Sequence, residues 1–212
     1  MRRLLKPLVF LLCLVPLAGL VFIVLTGRTS ANPAEDIQLT TGIWAFRFLL
    51  GSLAITPIRR LTGWNAVIKY RRMLGLFAFF YAAVHLTSYL LFDQLVMEEG
   101  VAGRVAADIV KRPFITAGMT AFLLMIPLAL TSTKGWIRRL GRRWQRLHRL
   151  VYVSAGAAAL HFVWKVKVAV GEPVYYAVFL AVLLGLRLAW WLPRRTGATR
   201  PAASSQSPRS GV

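Results

Sequence analysis

The sequence predicts an all-α integral membrane protein, a bundle of six transmembrane helices with both termini cytoplasmic. Three observations predict it. Of the 212 residues, 57% are hydrophobic and only 16% charged, a balance foreign to soluble domains. Six apolar runs approach the length that crosses a bilayer, about 17–25 residues. The basic residues, finally, fall on alternate sides of those runs, as the retention of Lys and Arg in short cytoplasmic loops requires.

The first run, residues 8–26, follows MRRLLK and ends before TSAN. It exceeds the 7–15-residue apolar stretch of a signal peptide and reads as a retained helix. Its lone cysteine, Cys13, is a packing residue, and with no second cysteine an intrachain disulfide and a thiolate cluster are both excluded. The second run, residues 43–57, is short and carries Arg47, which reads as a side chain snorkelling to the outer surface or as a partner for a haem propionate. The third, residues 73–92, carries His85, and the fourth covers residues 114–131. Between these two lies a long outer loop, 93–112, the candidate surface for a partner.

A basic linker, KGWIRRLGRRWQRLHR at 134–149, comes next and suits the inner headgroup level. The fifth run, residues 150–166, is again short and carries His161, and the sixth, residues 174–192, ends in an interfacial Trp190–Trp191 pair. Arg187 within it reads as snorkelling to the inner end. Residues 1–193 thus form one membrane domain, and the Ser-, Pro- and Gly-rich tail 194–212 is expected to be disordered on the cytoplasmic side.

With this topology the inner segments hold Arg2, Arg3, Lys6, Arg59, Arg60, Lys69, Arg71, Arg72, the seven cations of the linker, and Arg194, Arg195, Arg200 and Arg209, 19 of the 27 Lys and Arg. The outer segments hold six, together with all seven acidic residues. The formal charge of +20 is therefore read as a membrane-surface stripe, meeting lipid and not nucleic acid. No GxGxxG or GxxxxGK[ST] phosphate loop is present.

Three histidines carry the chemistry. His85 and His161 each lie thirteen residues into their runs from the inner side, counted from Arg72 and His148. At 1.5 Å per residue that is roughly 20 Å from the inner boundary of a core about 30 Å thick, a shared depth on two helices running the same way. Imidazoles are costly in hydrocarbon, and two at one level supply the axial nitrogens that a six-coordinate haem iron needs. Zinc usually takes a third protein ligand, and a proton relay is better served by carboxylates, which the runs lack. Hydrogen bonding across the bundle is the plainer role for the pair. Small residues beside them, Ala82–Ala83 and 156–159, leave room for a flat macrocycle. His148 sits at the inner boundary with Arg71 or Arg72 as its counterpart in depth. It reads as the ligand of an inner haem, a contact to a flavin or quinone, or an interfacial histidine.

The stretches RRMLGLFAFFYAAVH, RRWQRLHRLVY and ALHFVW, preceded by TGIWAFRFLLGSLAITPIRR, resemble the MsrQ (YedZ) family of the ferric-reductase-like transmembrane group, from the first run to Trp191. The resemblance implies a multi-pass protein of the bacterial inner membrane that binds haem b and FMN. It implies a heterodimer with a periplasmic molybdopterin-containing methionine sulfoxide reductase subunit, which carries out the sulfoxide chemistry for repair of oxidised proteins. Electrons would come from the quinone pool or a cytosolic flavin reductase. His85, His148 and His161 match the family's histidines, while the second histidine that larger ferric reductases carry on the third span is absent. A stand-alone ferric-reductase-like or cytochrome b membrane reductase is the nearest alternative, and a small transporter with histidines along a polar path the next.

Overall fold

A computed structural model describes residues 5–94, 101–165 and 171–192. The described residues are helical, with no strand among them: α1 (Leu5–Leu25), α2 (Pro33–Thr62), α3 (Ile68–Tyr89), α4 (Val101–Lys111), α5 (Pro113–Leu130), α6 (Lys134–Leu140), α7 (Arg142–Leu147), α8 (Leu150–Lys165) and α9 (Glu172–Trp191). A single 3-10 turn, Asn65–Val67, leads into α3, and a wider π turn, Leu90–Gln94, closes it.

The helix ends follow local chemistry. Asn32 caps α2 by accepting from the Glu35 N–H, Pro33 opens the first turn, and Glu35 and Asp36 sit on the positive end of the helix dipole. At the other end Arg59 and Arg60 meet the negative end, and Gly63 at φ 70° takes the left-handed conformation that lets its N–H close on the Arg59 carbonyl. Thr133 caps α6, and Pro113 opens α5. The result for α2 is 30 residues, twice the apolar run inside it. Its first turns, EDIQLTT, are helical but too polar to register as a span.

Four helices build the core as two antiparallel hairpins. In the first, α2 and α3 are tied by the Ser52 hydroxyl donating to Arg71 O at one end and by His85 against Gln38 O at the other. In the second, α5 and α8 are tied by Ser154 donating to Ala121 O and by His161 against Phe114 O. The hairpins meet through stacked Phe79 and Phe122, 5.5 Å apart, and through Phe46 against Phe162. Leu53, Ala78, Tyr81, Ser154 and Ala155 are almost fully buried along these seams. Helix α1 leans on α3 where the Tyr81 hydroxyl donates to Cys13 O and accepts from the Leu17 N–H. Helix α9 is held to α2 by Arg47 donating to Tyr176 at 2.7 Å.

Among the described residues, five helices are long and apolar enough to cross a membrane: α1, α2, α3 with its flanking turns, α5 and α9. The fifth expected span is α8, whose 16 residues reach about 24 Å, short of a core about 30 Å thick. Residues 166–170, where it would continue, lie outside the described residues, as does the expected disordered tail, 194–212. The expected outer loop 93–112 contains α4, secured where Tyr89 donates to Asp108 and Arg112 pairs with the same carboxylate at 3.3 Å. The basic linker contains α6 and α7, broken at Gly141, whose φ of 49° an L side chain rarely adopts.

Candidate functional site

The antiparallel hairpins gather the start of α2, the end of α3, the start of α5 and the end of α8 at one end of the bundle. There the imidazoles of His85 and His161 stand with their ring centres 6.1 Å apart and their planes at 76°. Each ring is anchored the same way. His85 Nδ1 lies 2.9 Å from the Gln38 carbonyl of α2, and His161 Nδ1 lies 2.7 Å from the Phe114 carbonyl of α5. A carbonyl only accepts, so each Nδ1 carries the proton and Nε2 is the unprotonated nitrogen of each ring.

The local sequence explains how a ring reaches a carbonyl that already serves its own helix. Four residues after Gln38 stands Gly42, and four after Phe114 stands Gly118. The imidazole edge lies over the missing side chain. A Cβ on Gly42 would come 3.1 Å from His85 Nδ1, and one on Gly118 would come 2.6 Å from His161 Nδ1. The two glycines are notches that admit the histidines to the backbone groove.

A cavity of about 600 Å³ opens beside the pair, within the usual range of cofactor pockets. Its walls are small or flat: Gly42, Ala45, Ala82, Gly118, Ala121 and Ala158, with Phe46 and Phe122. Arg112 and Lys165 also line it. The spacing of the rings suits one metal ion between them. Two bonds of about 2.0–2.1 Å, plus about 1.1 Å from each nitrogen to its ring centre, separate two collinear imidazole centres by about 6.3 Å. No group of three or more His, Cys, Asp or Glu able to hold a bare ion occurs among the described residues.

His148 is not part of this site. It ends α7 at the opposite, basic end, stacked on Trp144 at 4.0 Å with Nε2 3.1 Å from the Thr131 hydroxyl. That hydroxyl already donates to Pro127 O, so His148 Nε2–H is the donor between them. Burial, with Arg71 adding to it, holds its imidazole below the ordinary histidine range.

Arg47 stacks on Trp44 and donates to Tyr176. Arg187 does not snorkel outward; it turns into the bundle and donates to the Leu53 carbonyl at 2.5 Å. Of the small residues expected beside the macrocycle, Ala82 and Ala158 line the cavity, whereas Gly156 is exposed on the far side of α8.

The glycine notches are the functional residues that reading single runs misses. A signal for them exists: GIWAF at 42–46 and GMTAF at 118–122 share Gly, Ala and Phe, and AAVH at 82–85 and AALH at 158–161 share all but one residue. Both pairs, and the carbonyls of Gln38 and Phe114, stand 76 residues apart, an internal repeat in which each hairpin contributes a carbonyl, a notch and a histidine.

Comparison with known proteins places residues 41–159 in the family described as "Ferric reductase like transmembrane component". A protein of Xanthomonas campestris pv. campestris (strain 8004), named "Protein-methionine-sulfoxide reductase heme-binding subunit MsrQ", is 52% identical over 180 residues, 84% of this chain and 81% of its own. One of the same name from Xanthomonas oryzae pv. oryzae (strain MAFF 311018) is 52% identical over 181 residues, with the same coverage of 84% and 81%. A third, from Herminiimonas arsenicoxydans, is 46% identical over 205 residues, 95% of this chain and 92% of its own.

Proposed function

The chain belongs to the MsrQ family of ferric-reductase-like transmembrane proteins, and from that premise we propose that it is the haem-bearing electron-transfer subunit of a methionine sulfoxide reductase. The observation that carries the reading is the pair of imidazoles 6.1 Å apart, each fixed through Nδ1 by a backbone carbonyl of the neighbouring helix. His85 and His161 would hold the iron of a haem b. When bound, that group supplies a one-electron couple, tuned by imidazole ligation and the apolar wall.

The chain's own residues hold and orient. The Gln38 and Phe114 carbonyls set the tautomer and make each Nε2 a stronger donor to a metal. Gly42 and Gly118 keep those hydrogen bonds short, and Phe46 and Phe122 keep water away. With both histidines committed to holding the haem, sulfoxide chemistry would belong to the partner. That partner is a periplasmic molybdopterin-containing subunit, and the site opens toward it if the histidine end faces outward. This orientation gives six spans, with α8 as the fifth, cytoplasmic termini, one membrane domain over residues 1–193, and location in the bacterial inner membrane. Electrons enter at the basic end from a quinol or a cytosolic flavin reductase. His148 there contacts the inner cofactor, FMN or a second haem, with Nδ1 as its available atom while Thr131 occupies Nε2.

The test is the visible spectrum of the detergent-purified chain, oxidised and dithionite-reduced, for the native sequence and for His85→Ala, His161→Ala and His148→Ala. A low-spin b-type spectrum abolished by either of the first two and kept by the third is expected. A native chain that stays colourless after reconstitution with haem overturns the reading.

A further inference from the structure

The histidine cavity is graded along the bundle. Its floor is apolar: Leu49 and Met125 each follow their glycine notch by seven residues, about 10 Å deeper along α2 and α5. Its mouth is polar, and the charged residues lining it among the described ones are Glu35, Arg112 and Lys165. Lys165 follows His161 by four residues and so shares its face of α8, with Nζ 5.6 Å from the centre of the Phe114 ring. Arg112 is the residue at the N-cap of α5; its Nε pairs with Asp108 at 3.3 Å, which leaves the two terminal amino groups for another anion. The two cations thus flank Phe114, whose carbonyl holds His161.

The internal repeat breaks at this mouth. A step of 76 residues carries Gly42 to Gly118 and His85 to His161, but it also carries Asp36 to Arg112 and Tyr89 to Lys165. The hairpins are alike at the notches and unlike at the rim, where the first has an acid and a phenol and the second has two cations. Glu35, the acid of the rim, is held at the positive end of α2, where it accepts from Asn32 Nδ2 at 3.5 Å. An anionic group in the cavity is therefore drawn toward the α5–α8 side and repelled from the start of α2. Carboxylates are costly to bury unpaired, so a ligand with an apolar body and acids along one edge fits with its body on the floor and its acids at the rim.

We propose that Arg112 and Lys165 bind the two propionate carboxylates of the haem and so decide which way round the macrocycle sits, an inference that rests on the haem reading above. The histidines alone do not decide it, because an imidazole on each face is indifferent to rotation of the ring about the line joining them. The cations hold the acidic edge at the mouth on the α5–α8 side, and the edge without carboxylates rests toward Leu49 and Met125. Asp108, itself taken by the Tyr89 hydroxyl at 2.7 Å, steadies Arg112 for this role. A guanidinium fork suits a carboxylate, and the Lys165 ammonium supplies a second point charge.

The test compares haem with its dimethyl ester, in which both carboxylates are masked and the rest of the ring is unchanged. Each is titrated by Soret absorbance onto the detergent-purified, haem-free full chain. Native, Arg112→Gln, Lys165→Gln, doubly substituted and Lys111→Gln forms are used; Lys111, exposed at the end of α4, is the control cation. The expected result is a native preference for the acid over the ester by about tenfold or more, reduced in each single variant, abolished in the double and kept in Lys111→Gln. Equal native affinity for both rings, or a preference that survives in the double variant, overturns the proposal, while a low-spin spectrum in the same titration leaves the histidine pair in place. A preference lost equally in Lys111→Gln belongs to net charge at this end and overturns it too. Binding of neither ring removes the haem reading and this proposal with it. Should the double variant not fold, the native chain decides: a preference that shrinks as salt is raised supports pairing at this partly exposed mouth, and one indifferent to salt overturns it.

Discussion

At the scale of single residues the two notches make unequal demands, and the inequality is testable. An alanine methyl at Gly118 would stand 2.6 Å from His161 Nδ1, a separation that atoms do not tolerate, so the ring must swing off the Phe114 carbonyl. At Gly42 the corresponding gap is 3.1 Å, which His85 can relieve by a few tenths of an ångström. Removing the hydrogen bond that orients a ligating histidine costs 10–100-fold in affinity. Gly118→Ala is therefore expected to lower haem affinity by roughly that factor and Gly42→Ala by less than about tenfold. Haem content per chain by pyridine haemochrome, after titration of the apoprotein, ranks the two. Equal retention in both variants would remove the notches from the account. The histidines themselves were legible from depth counting, because a 1.5 Å rise converts sequence distance to height. Their glycine partners were not, since a residue on another helix enters no such count until the repeat relates the two hairpins.

Helix α1 shows what packing adds at the scale of elements. Its sequence reads as a featureless apolar span, and most of its side chains face outward. Yet the Tyr81 phenol sits astride the Cys13–Leu17 rung, donating to one carbonyl at 2.9 Å and accepting from one N–H at 3.1 Å. The rung lies beside Pro16, which has no N–H to offer and leaves α1 weakest at this point. Tyr81 is fully buried and also touches Phe48, so one α3 side chain joins α1 to the core. Tyr81→Phe keeps the ring and deletes the bridge, at a cost on the order of 1 kcal/mol. Because Cys13 is only 4% exposed, loosening of α1 is read directly as faster maleimide labelling of that thiol. The expected result is accelerated labelling with an unchanged haem spectrum. An unchanged labelling rate would show the hydroxyl to be incidental. The boundaries of α2, by contrast, were half legible: its cap, Asn32-Pro33 with Glu35, is plain, but the polar turns after it hid a helix twice as long as its apolar run.

For the whole molecule the open question is parity. Nineteen of the 27 basic residues occupy one set of connecting segments only if α8 crosses the membrane, yet its described residues reach about 24 Å. Two arguments favour a crossing. Helix α8 runs antiparallel to α5 along its whole length, from His148 beside Thr131 to His161 beside Phe114, and α5 is itself long enough to span. Its next described neighbour, α9, begins near the histidine end, where Tyr176 meets Arg47, and runs back to the basic end, where Arg187 meets Leu53. A chain that passed along α5, α8 and α9 without crossing at α8 would have to return between the histidine and basic ends outside the bundle, which the five residues 166–170 cannot do. The prediction uses cysteines introduced singly into a Cys13→Ser chain at Ser30, Lys134 and Gly171. In intact cells a membrane-impermeant maleimide is expected to label Ser30→Cys and Gly171→Cys, while Lys134→Cys reacts only after lysis. Labelling of Gly171→Cys only on lysis, together with Lys134→Cys, would put both ends of α8 on one side and reduce the spans to five. A pattern reversed throughout would keep six spans but turn the histidine pair inward, away from any periplasmic partner.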